Sequence, residues 1–345
     1  MTWAQVLAEL TARRDLTGEA ASWAMGQILA GEATDAQIAA FAVTLRTKGE
    51  TVDEIRGLAQ GMLDVATPID LPTDAVDVVG TGGDRAMTVN ISTMAAMVAA
   101  ATGVPVVKHG NRAASSACGT ADCLEALGVA LDVAPSAQAQ VLADAGIVFM
   151  FAPIYHPSLR YAAGPRRELG VPTIFNFLGP LANPARPSAS AIGVADERMA
   201  ALMAQVIAAR GHRGLIFHGG DGLDELTTTT ASRVWLVRDG QVVESRFDPA
   251  DLGIPAATPE SLVGGGPAHN AAVVRAVFAG ETGAIRDIVQ LNAAAAILAF
   301  RGPVFDVPVA DQLREPFAQA GAAIDSGAAA TVLDTWIAAT IRAKA

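Results

Sequence analysis

The sequence contains few of the residues that characterise several common protein classes. Its two cysteines, Cys118 and Cys123, are too few and too closely spaced for a disulfide framework or a zinc site. We therefore predict that both are small buried side chains. Aromatic residues make up only 5% of the chain, which leaves little for stacking nucleic-acid bases, and the net charge of −11 argues against nonspecific binding to nucleic acid or to an anionic membrane.

Long apolar runs are also missing. No run approaches the roughly 20 residues that a membrane span needs. The N-terminal MTWAQVLAEL lacks the basic region and apolar block of a signal peptide. We therefore expect a cytoplasmic protein that binds neither membranes nor nucleic acid. With 345 residues, 51% of them hydrophobic, the chain has enough material for one large core or two domains.

Apolar residues recur at helical spacing from residue 1 to about residue 67, and no strand pattern interrupts them. This spacing predicts about four helices. Two prolines in TPIDLPTD, residues 67–74, indicate the end of this unit. We place a small helical domain at residues 1–70, and we expect part of the proline-rich segment 156–187 to join it.

From residue 74 onward, short β-branched runs alternate with alanine-rich helical patterns. The runs are VDVVG, VPVVKHG, VALDV, IVFMFAP, ASAIGVA and GLIFHGG, and RVWLVRDGQVVESRF has the Asp-Gly turn of a β-hairpin. This alternation predicts an α/β fold with a mostly parallel central sheet flanked by helices. The large α/β domain would comprise residues 74–155 and 188–345, with a mostly helical C-terminal third, and would bind ligands at the carboxyl ends of its strands.

Two loops that follow predicted strands are suited to binding an anion. In GTGGD, residues 80–84, the glycines let a ligand approach the backbone, and the polar run that follows lies at a helix N-terminus, which favours negative charge. The loop at residues 106–122 carries side chains that can donate hydrogen bonds to a phosphate: Lys108, Arg112, Ser115, Ser116 and Thr120. Loops from neighbouring strands would form one phosphate site.

A third loop, GGDGLDEL at residues 219–226, gathers the carboxylates of Asp221, Asp224 and Glu225. Oxygen ligands of this kind suit Mg²⁺, which commonly bridges carboxylates to a substrate phosphate. The three loops together predict a Mg²⁺-diphosphate substrate. A second substrate with a carboxylate has candidate partners in His109, His156, Arg166 and Arg167. No Ser-His-Asp or Cys-His pattern indicates nucleophilic catalysis.

These motifs, in this order and spacing, resemble those of the anthranilate phosphoribosyltransferase family. The matching segments are GTGGD (80–84), TVNIST (88–93), KHGNRAASS (108–116), GTADCLEALGV (119–129), FAPIYHPS (151–158), RRELG (166–170), TIFNFLGPLANPARP (173–187) and DGLDELT (221–227). The resemblance implies transfer of the phosphoribosyl group from 5-phosphoribosyl 1-diphosphate (PRPP) to the amine of anthranilate, with release of diphosphate, in tryptophan biosynthesis. It also implies a small helical domain hinged to a large α/β domain, and a homodimer.

The resemblance implies a role for each matching residue. The residues implied to contact PRPP are Gly80, Gly83, Asp84, Thr88, Asn90, Ile91, Ser92, Thr93, Lys108, His109, Gly110, Asn111, Arg112, Ala113, Ala114, Ser115, Ser116 and Thr120. Those implied to bind anthranilate are Gly80, His109, Asn111, His156 and Arg166. Mg²⁺ would be held by Ser92, Asp224 and Glu225, with two ions expected per monomer. No general acid or base is assigned, because an aromatic amine is already nucleophilic and the main tasks are positioning and charge neutralisation.

Three positions depart from the family pattern, and two other functions stay open. Arg85 stands where relatives commonly have Gly, Ala117 where many have Lys, and Pro172 where many have Arg. The first alternative is a pyrimidine nucleoside phosphorylase, or another ribosyl transferase of the same fold; the acidic turn argues against the phosphorylase. The second is a non-catalytic nucleic-acid-binding relative, against which the acidic charge and scarce aromatic residues argue.

Overall fold

The computed structural model describes residues 1–113 and 117–344. Its N-terminal unit consists of four helices, α1 (Trp3–Thr11), α2 (Gly18–Leu29), α3 (Asp35–Lys48) and α4 (Val52–Asp64). Each helix follows a threonine whose hydroxyl accepts a hydrogen bond from the backbone N–H of the third helical residue. Such caps satisfy donors that the first turn of a helix leaves free. The four predicted helices are confirmed.

Strands and helices alternate through the rest of the chain. They are β1 (Val76–Gly80), α5 (Ile91–Ala101), β2 (Val106–Gly110), α6 (Thr120–Leu127), α7 (Gln138–Ala145), β3 (Ile147–Phe151), α8 (Ala152–Tyr155), α9 (Arg160–Leu169), β4 (Ala189–Gly193), α10 (Glu197–Ala209), β5 (Arg213–Gly219), β6 (Ser232–Arg238), β7 (Gln241–Phe247), α11 (Pro267–Phe278), α12 (Ala284–Arg301), α13 (Val309–Asp325) and α14 (Ala328–Lys344).

One predicted strand is wrong. Residues 129–133, VALDV, form an irregular connection between α6 and α7. Its backbone donors are satisfied by helices instead of a sheet: Val129 N–H donates to the Leu124 carbonyl at 3.0 Å, and Ala130 N–H donates to the Thr340 hydroxyl at 3.2 Å. The alternating apolar residues are buried without any strand pairing, so the period-two pattern reflects burial alone.

Within the described residues, seven strands form one sheet in the order β3-β2-β1-β4-β5-β6-β7. Strands β1 to β5 are parallel, and the hairpin of β6 and β7 adds two antiparallel strands at one edge. The predicted α/β fold with a mostly parallel sheet is therefore confirmed. The chain runs outward from β1 to β3 and then returns to place β4 on the other side of β1. Loops diverge at such a switch point, and a crevice opens at the carboxyl ends of the strands.

Two clusters of buried apolar side chains cover the two faces of the sheet. One packs α5, α12 and the C-terminal helices against one face. The other joins the N-terminal helices to the opposite face, and Ile174, Phe175 and Leu178 from the proline-rich segment share it. The domain limits drawn from the sequence stay a prediction.

Both cysteines and most of the long helix α12 are buried. Cys118 and Cys123 are buried, as predicted, and burial raises the pKa of Cys123 to about 12. Helix α12 is buried along most of its length inside the protein. None of the helices in residues 1–113 and 117–344 combines the length and the apolar character that crossing a membrane requires.

Helices α2 and α4 pack so closely that their contact requires glycine. A Cβ atom at Gly57 would lie 2.8 Å from the carbonyl carbon and 2.9 Å from the Cα of Gly18. These are backbone atoms, so no side-chain rotation relieves the overlap. Gly26, on the same pair of helices, has open space where its Cβ would lie.

We expect Gly57→Ala to lower the free energy of unfolding by about 1–3 kcal/mol, because the added methyl forces α2 and α4 apart. The matched variant Gly26→Ala should raise it by about 0.5–1 kcal/mol, because alanine loses less backbone entropy than glycine in a helix. Urea unfolding followed by far-UV circular dichroism measures both. Equal midpoints for the two variants would contradict the close contact.

Candidate active site

A cavity of about 350 Å³ opens at the carboxyl ends of the parallel strands. Three loops singled out in the sequence form one wall: residues 80–92, residues 108–113 with 118–120, and the acidic turn at Asp224 and Glu225. The opposite wall comes from α4, α9 and the proline-rich segment, and includes Arg166, Phe175 and Pro180. The fold thus brings anion-binding, acidic and apolar surfaces together around one space.

The glycine loop after β1 is tied to the acidic turn. The Gly82 N–H donates to Asp224 Oδ2 at 2.7 Å, and a Cβ atom at Gly80 would overlap that same carboxylate. Glycine is therefore required at position 80 because Asp224 approaches the backbone there. Asn90, at the start of α5, does not cap the helix; its side chain donates to the Cys118 carbonyl at 3.0 Å. This hydrogen bond joins the glycine loop to the second loop.

The three departures from the family pattern are all exposed. Arg85 has φ of 62° and is exposed, so its backbone adopts the left-handed conformation that glycine adopts at lower cost. Ala117 and Pro172 are also exposed, and neither lines the cavity.

Lys108 is the most deeply buried charge in this wall, with 1% of its surface exposed. Its ammonium donates to the Val78 carbonyl and, at 3.2 Å, to the Ser92 hydroxyl. Burial lowers the pKa of Lys108, and the neighbouring carboxylates, first Asp77 and then Glu225, oppose that shift. The ammonium is thus hydrogen-bonded to a carbonyl and a hydroxyl at the cavity wall, with carboxylates nearby.

Asp77 and Asn183 are two site residues that sequence reasoning missed. Asp77 accepts from the His109 backbone N–H at 3.0 Å and from Asn183 Nδ2 at 2.8 Å. Burial raises the pKa of Asp77 to about 6, and the nearby charge of Lys108 limits the rise. Asp77 could have been identified from its place inside the apolar run VDVVG, because a carboxylate in a fully buried strand needs a partner. Asn183 carried no comparable signal.

The acidic turn concentrates negative charge. Glu225 Oε1 accepts from the Ser92 backbone N–H at 3.1 Å. Burial, followed by the charge of Asp84, raises the pKa of Asp224 to about 7. Burial, followed by the charge of Asp224, raises the pKa of Glu225 well above its usual range. Burial beside other carboxylates thus disfavours the charged form of both side chains, and a cation bound there would favour it.

Asp221 belongs to the same turn but serves the fold. Its Oδ2 accepts from the Thr227 hydroxyl at 2.7 Å and from the Thr229 hydroxyl at 2.5 Å, and it does not line the cavity. Of the three carboxylates noted in the sequence, only Asp224 and Glu225 therefore reach the cavity.

The residues present fit a magnesium ion shared with a substrate. Asp224, Glu225 and the Ser92 hydroxyl supply hard oxygen ligands at a place where negative charge is in excess. In the described part of the chain, no group of three or more His, Cys, Asp or Glu side chains is arranged to hold a metal ion. Mg²⁺ commonly takes one or two carboxylates and completes its coordination with water and substrate phosphates, which suits this arrangement.

His109 is a neutral imidazole at the cavity wall. Its Nδ1 donates to the Gly179 carbonyl at 3.0 Å, and its Nε2 is buried without a hydrogen-bond partner in the described residues. Burial, together with the nearby His156, lowers the pKa of His109 to about 3. With the proton on Nδ1, Nε2 is a free acceptor for a ligand donor.

Two predicted residues lie behind the cavity wall. His156 packs against His109 with ring centroids 5.5 Å apart, and its Nε2 contacts the Ala182 carbonyl at 2.7 Å. Thr93 is buried and donates to the Thr120 hydroxyl at 3.3 Å. Neither residue lines the cavity, so each acts by supporting a neighbour that does.

The second anion loop is partly occupied by its own partners. Arg112 forms ion pairs with Asp122 and Glu125, both at 2.9 Å, and these interactions raise the pKa of Arg112. Its guanidinium is therefore not free to donate hydrogen bonds to a phosphate in this arrangement. Gly110, Asn111 and Ala113 line the cavity as predicted residues of the loop, whereas Ala114, Ser115 and Ser116 lie outside the described residues.

Arg166 is the cation on the opposite wall. It lies half-buried over the Phe175 ring, with Cζ 5.7 Å from the ring centroid. Burial lowers the pKa of Arg166, and among the residues described here no carboxylate pairs with it. A half-buried guanidinium without a counter-charge, at a cavity edge, is suited to binding a ligand carboxylate. The exposed neighbour Arg167 does not line the cavity.

We expect the His109 imidazole to stay neutral from pH 5 to pH 8, because its pKa lies near 3. Its ¹H–¹³C NMR signals, assigned by their loss in His109→Gln, should not shift across this range. The pKa in the folded protein is lower than the ordinary value near 6.5, so below pH 6.5 the unfolded chain binds a proton that the folded protein does not, and stability falls as the pH drops toward 3. A titration of His109 near pH 6.5 would contradict this assignment.

The comparisons with known proteins agree with this geometry. Residues 4–66 match the family model described as "Glycosyl transferase family, helical bundle domain", and residues 72–330 match "Glycosyl transferase family, a/b domain". The chain is 60% identical to the anthranilate phosphoribosyltransferase of Acidothermus cellulolyticus over 343 residues, which covers 99% of this chain and 96% of that protein.

Solved structures show the same likeness. The crystal structure of anthranilate phosphoribosyltransferase from Thermus thermophilus matches with a TM-score of 0.89 at 39% identity, over 97% of this chain and 99% of that chain. The Saccharomyces cerevisiae enzyme in complex with PRPP and Mg matches with a TM-score of 0.88 at 25% identity, over 99% and 98% of the two chains. The chain therefore belongs to this glycosyl transferase family and, within it, to the anthranilate phosphoribosyltransferases.

Proposed function

We propose that the protein transfers the phosphoribosyl group of PRPP to the amine of anthranilate and releases diphosphate, a step of tryptophan biosynthesis. The observation that carries the proposal is the charge pattern of one cavity, with excess carboxylate charge at Asp224 and Glu225 and an unpaired cation at Arg166. That pattern is complementary to a Mg²⁺-diphosphate at one end and a carboxylate at the other. The similarity to anthranilate phosphoribosyltransferases supports it.

The donor would bind across the glycine loop, the start of α5 and the second loop. Gly80, Gly83, Thr88, Ser92 and Thr120 all line this side of the cavity and present backbone or hydroxyl groups to it. Lys108 lies beneath them as a buried positive charge, which in a region shielded from water acts more strongly than at the surface. It would stabilise the negative charge that develops on the departing diphosphate. Mg²⁺, when bound at Ser92, Asp224 and Glu225, would neutralise further charge on that leaving group.

The acceptor would bind on the opposite side. Arg166 would pair with the carboxylate of anthranilate, while Phe175 and Pro180 provide apolar surface for its ring. The free Nε2 of His109 would accept a hydrogen bond from the amine and so orient it toward the ribose. His109 is too weakly basic to hold the proton that the amine loses, which agrees with the absence of an assigned general base. The chain would accelerate transfer mainly by positioning and by electrostatic stabilisation.

The comparisons favour this function over the two alternatives. The similarity to anthranilate phosphoribosyltransferases extends over 99% of the chain, and a solved relative of the same name is in complex with PRPP and Mg. A nucleoside phosphorylase has no evident use for the carboxylate pair, and a nucleic-acid-binding protein would not benefit from a net charge of −11. The homodimer, the second Mg²⁺ and the cytoplasmic location stay predictions.

The test follows the fluorescence of anthranilate over time with purified protein, PRPP and Mg²⁺. We expect the signal to decay, and we expect EDTA to abolish the decay. Asp224→Asn and Glu225→Gln should each lower turnover by about 10²-fold or more and raise the Mg²⁺ concentration needed for half-maximal rate, because each removes a charge-bearing ligand.

Asp221→Asn is the matched control for the carboxylate variants. It makes the same chemical change in the same turn, at a side chain that contacts Thr227 and Thr229 and not the cavity. It should destabilise the turn without changing the Mg²⁺ dependence. A common Mg²⁺ response for all three variants would contradict the assignment of Asp224 and Glu225, while no decay in the wild-type protein would contradict the reaction itself.

We expect Arg166→Ala to raise the KM for anthranilate by about tenfold or more and to leave the KM for PRPP within about twofold, because only the acceptor loses a charge-assisted hydrogen bond. Arg167→Ala removes an exposed guanidinium one residue away and should leave both constants unchanged. Steady-state kinetics with each substrate varied in turn separates the two effects. Equal losses for both substrates would place Arg166 outside the acceptor site.

A further inference from the structure

A second cavity, of about 200 Å³, lies near the amino ends of β4 and β5, at the opposite end of these strands from the active site. Of the described residues, Pro180 is the one that lines both cavities. Apolar surface comes from Leu63, Leu181 and Ile207. The proposed reaction makes no use of this space.

Three basic side chains line this second cavity: Arg186, Arg210 and His212. No Asp or Glu is among its lining residues. Within the described residues, neither Arg186 nor Arg210 forms an ion pair, whereas the neighbouring Arg213 pairs with Asp74 at 2.7 Å. Basic groups that face one another without a counter-charge repel, so this arrangement is unfavourable until an anion joins it.

Arg210 is the central donor. Its Nη1 donates to the Leu181 carbonyl at 2.8 Å, while its Nη2 is buried and has no hydrogen-bond partner in the described residues. Burial, and after it the charge of Arg186, lowers the pKa of Arg210 to about 10. Most buried guanidinium nitrogens are satisfied, so an orphaned one in a cavity indicates a missing acceptor.

Two further groups face the same space. Among the described residues, the exposed side chain of Arg186 makes one hydrogen bond, a long one of 3.4 Å from its Nη2 to the Leu63 carbonyl, which leaves donor capacity for a ligand. Burial lowers the pKa of His212, and the charges of Arg210 and Arg213 lower it further. This imidazole therefore lies close enough to Arg210 to feel its charge.

We propose that this second cavity binds a small oxyanion, the phosphate or carboxylate group of a low-molecular-weight metabolite. Arg210 Nη2 donates to one oxygen, and Arg186 and His212 supply the remaining donors. The volume admits an anion of a few heavy atoms with a compact body, and the apolar wall at Leu63, Leu181 and Ile207 accommodates that body. The proposal is independent of the transferase reaction, because none of these residues contacts the active-site cavity.

The experiment is an NMR titration of the full-length protein, observed at the Cε1–H signal of His212, which is assigned by its loss in His212→Gln. Inorganic phosphate and benzoate are added separately at constant ionic strength, with sodium chloride as the reference salt. We expect at least one of the two probes to produce a saturable shift of the His212 signal and to raise the pKa of His212. A response to phosphate alone or to benzoate alone identifies the group that the cavity binds.

Variants locate the response. Arg210→Met keeps the apolar stem and should weaken binding by at least about tenfold, the loss of one charge-assisted hydrogen bond. Arg186→Gln should also weaken it, and keeps the test valid if Arg210→Met does not fold. Arg314→Gln removes an exposed arginine elsewhere on the protein and should leave the affinity within about twofold. No saturable shift with either probe, or unchanged affinity in both cavity variants, would overturn the proposal.

Discussion

The active site is organised around the burial of one ammonium group. Lys108 is almost fully enclosed, and a buried charge is tolerated only when opposite charge and hydrogen-bond acceptors surround it. Asp77 from β1, the Ser92 hydroxyl from α5 and Glu225 from the acidic turn meet this demand. One requirement therefore fixes the relative positions of two strands, a helix N-terminus and a loop.

The carboxylates around Lys108 outnumber it, and this imbalance gives the cavity its chemistry. Burial raises the pKa values of Asp77, Asp224 and Glu225, and for Asp224 and Glu225 the charges of neighbouring carboxylates raise them further. On the facing wall, Arg166 carries a positive charge without a counter-charge, since no carboxylate pairs with it within the described residues. Each unbalanced charge raises the free energy of the ligand-free protein. A cation-bound diphosphate would balance the carboxylates, and a ligand carboxylate would balance Arg166. The fold thus holds both unbalanced charges in place before any ligand binds, and ligand binding is favourable because it neutralises them.

Much of the architecture follows from local pattern, while the site depends on contacts that pattern does not encode. Threonine caps and helical periodicity identify α1 to α4, and β-branched runs identify β1 to β5. The strand predicted at VALDV is wrong because alternating apolar residues indicate burial and do not require pairing with another strand. The three cavity loops were predictable because strand ends meet at one sheet edge, whereas the pairing of Arg112 with Asp122 and the hydrogen bond of Asn183 to Asp77 depend on side-chain directions fixed only in three dimensions.

The two cavities share a hydrogen-bonded strip at residues 179–183. The Gly179 carbonyl accepts from His109 and so sets its tautomer, while the Leu181 carbonyl accepts from Arg210 in the second cavity. Asn183 completes the strip by donating to Asp77, the counter-charge of Lys108. A displacement at Arg210 would have to pass through these hydrogen bonds to reach His109 or Asp77. A ligand of the second cavity therefore affects transfer only to the extent that it binds the two positions of this strip with different affinity.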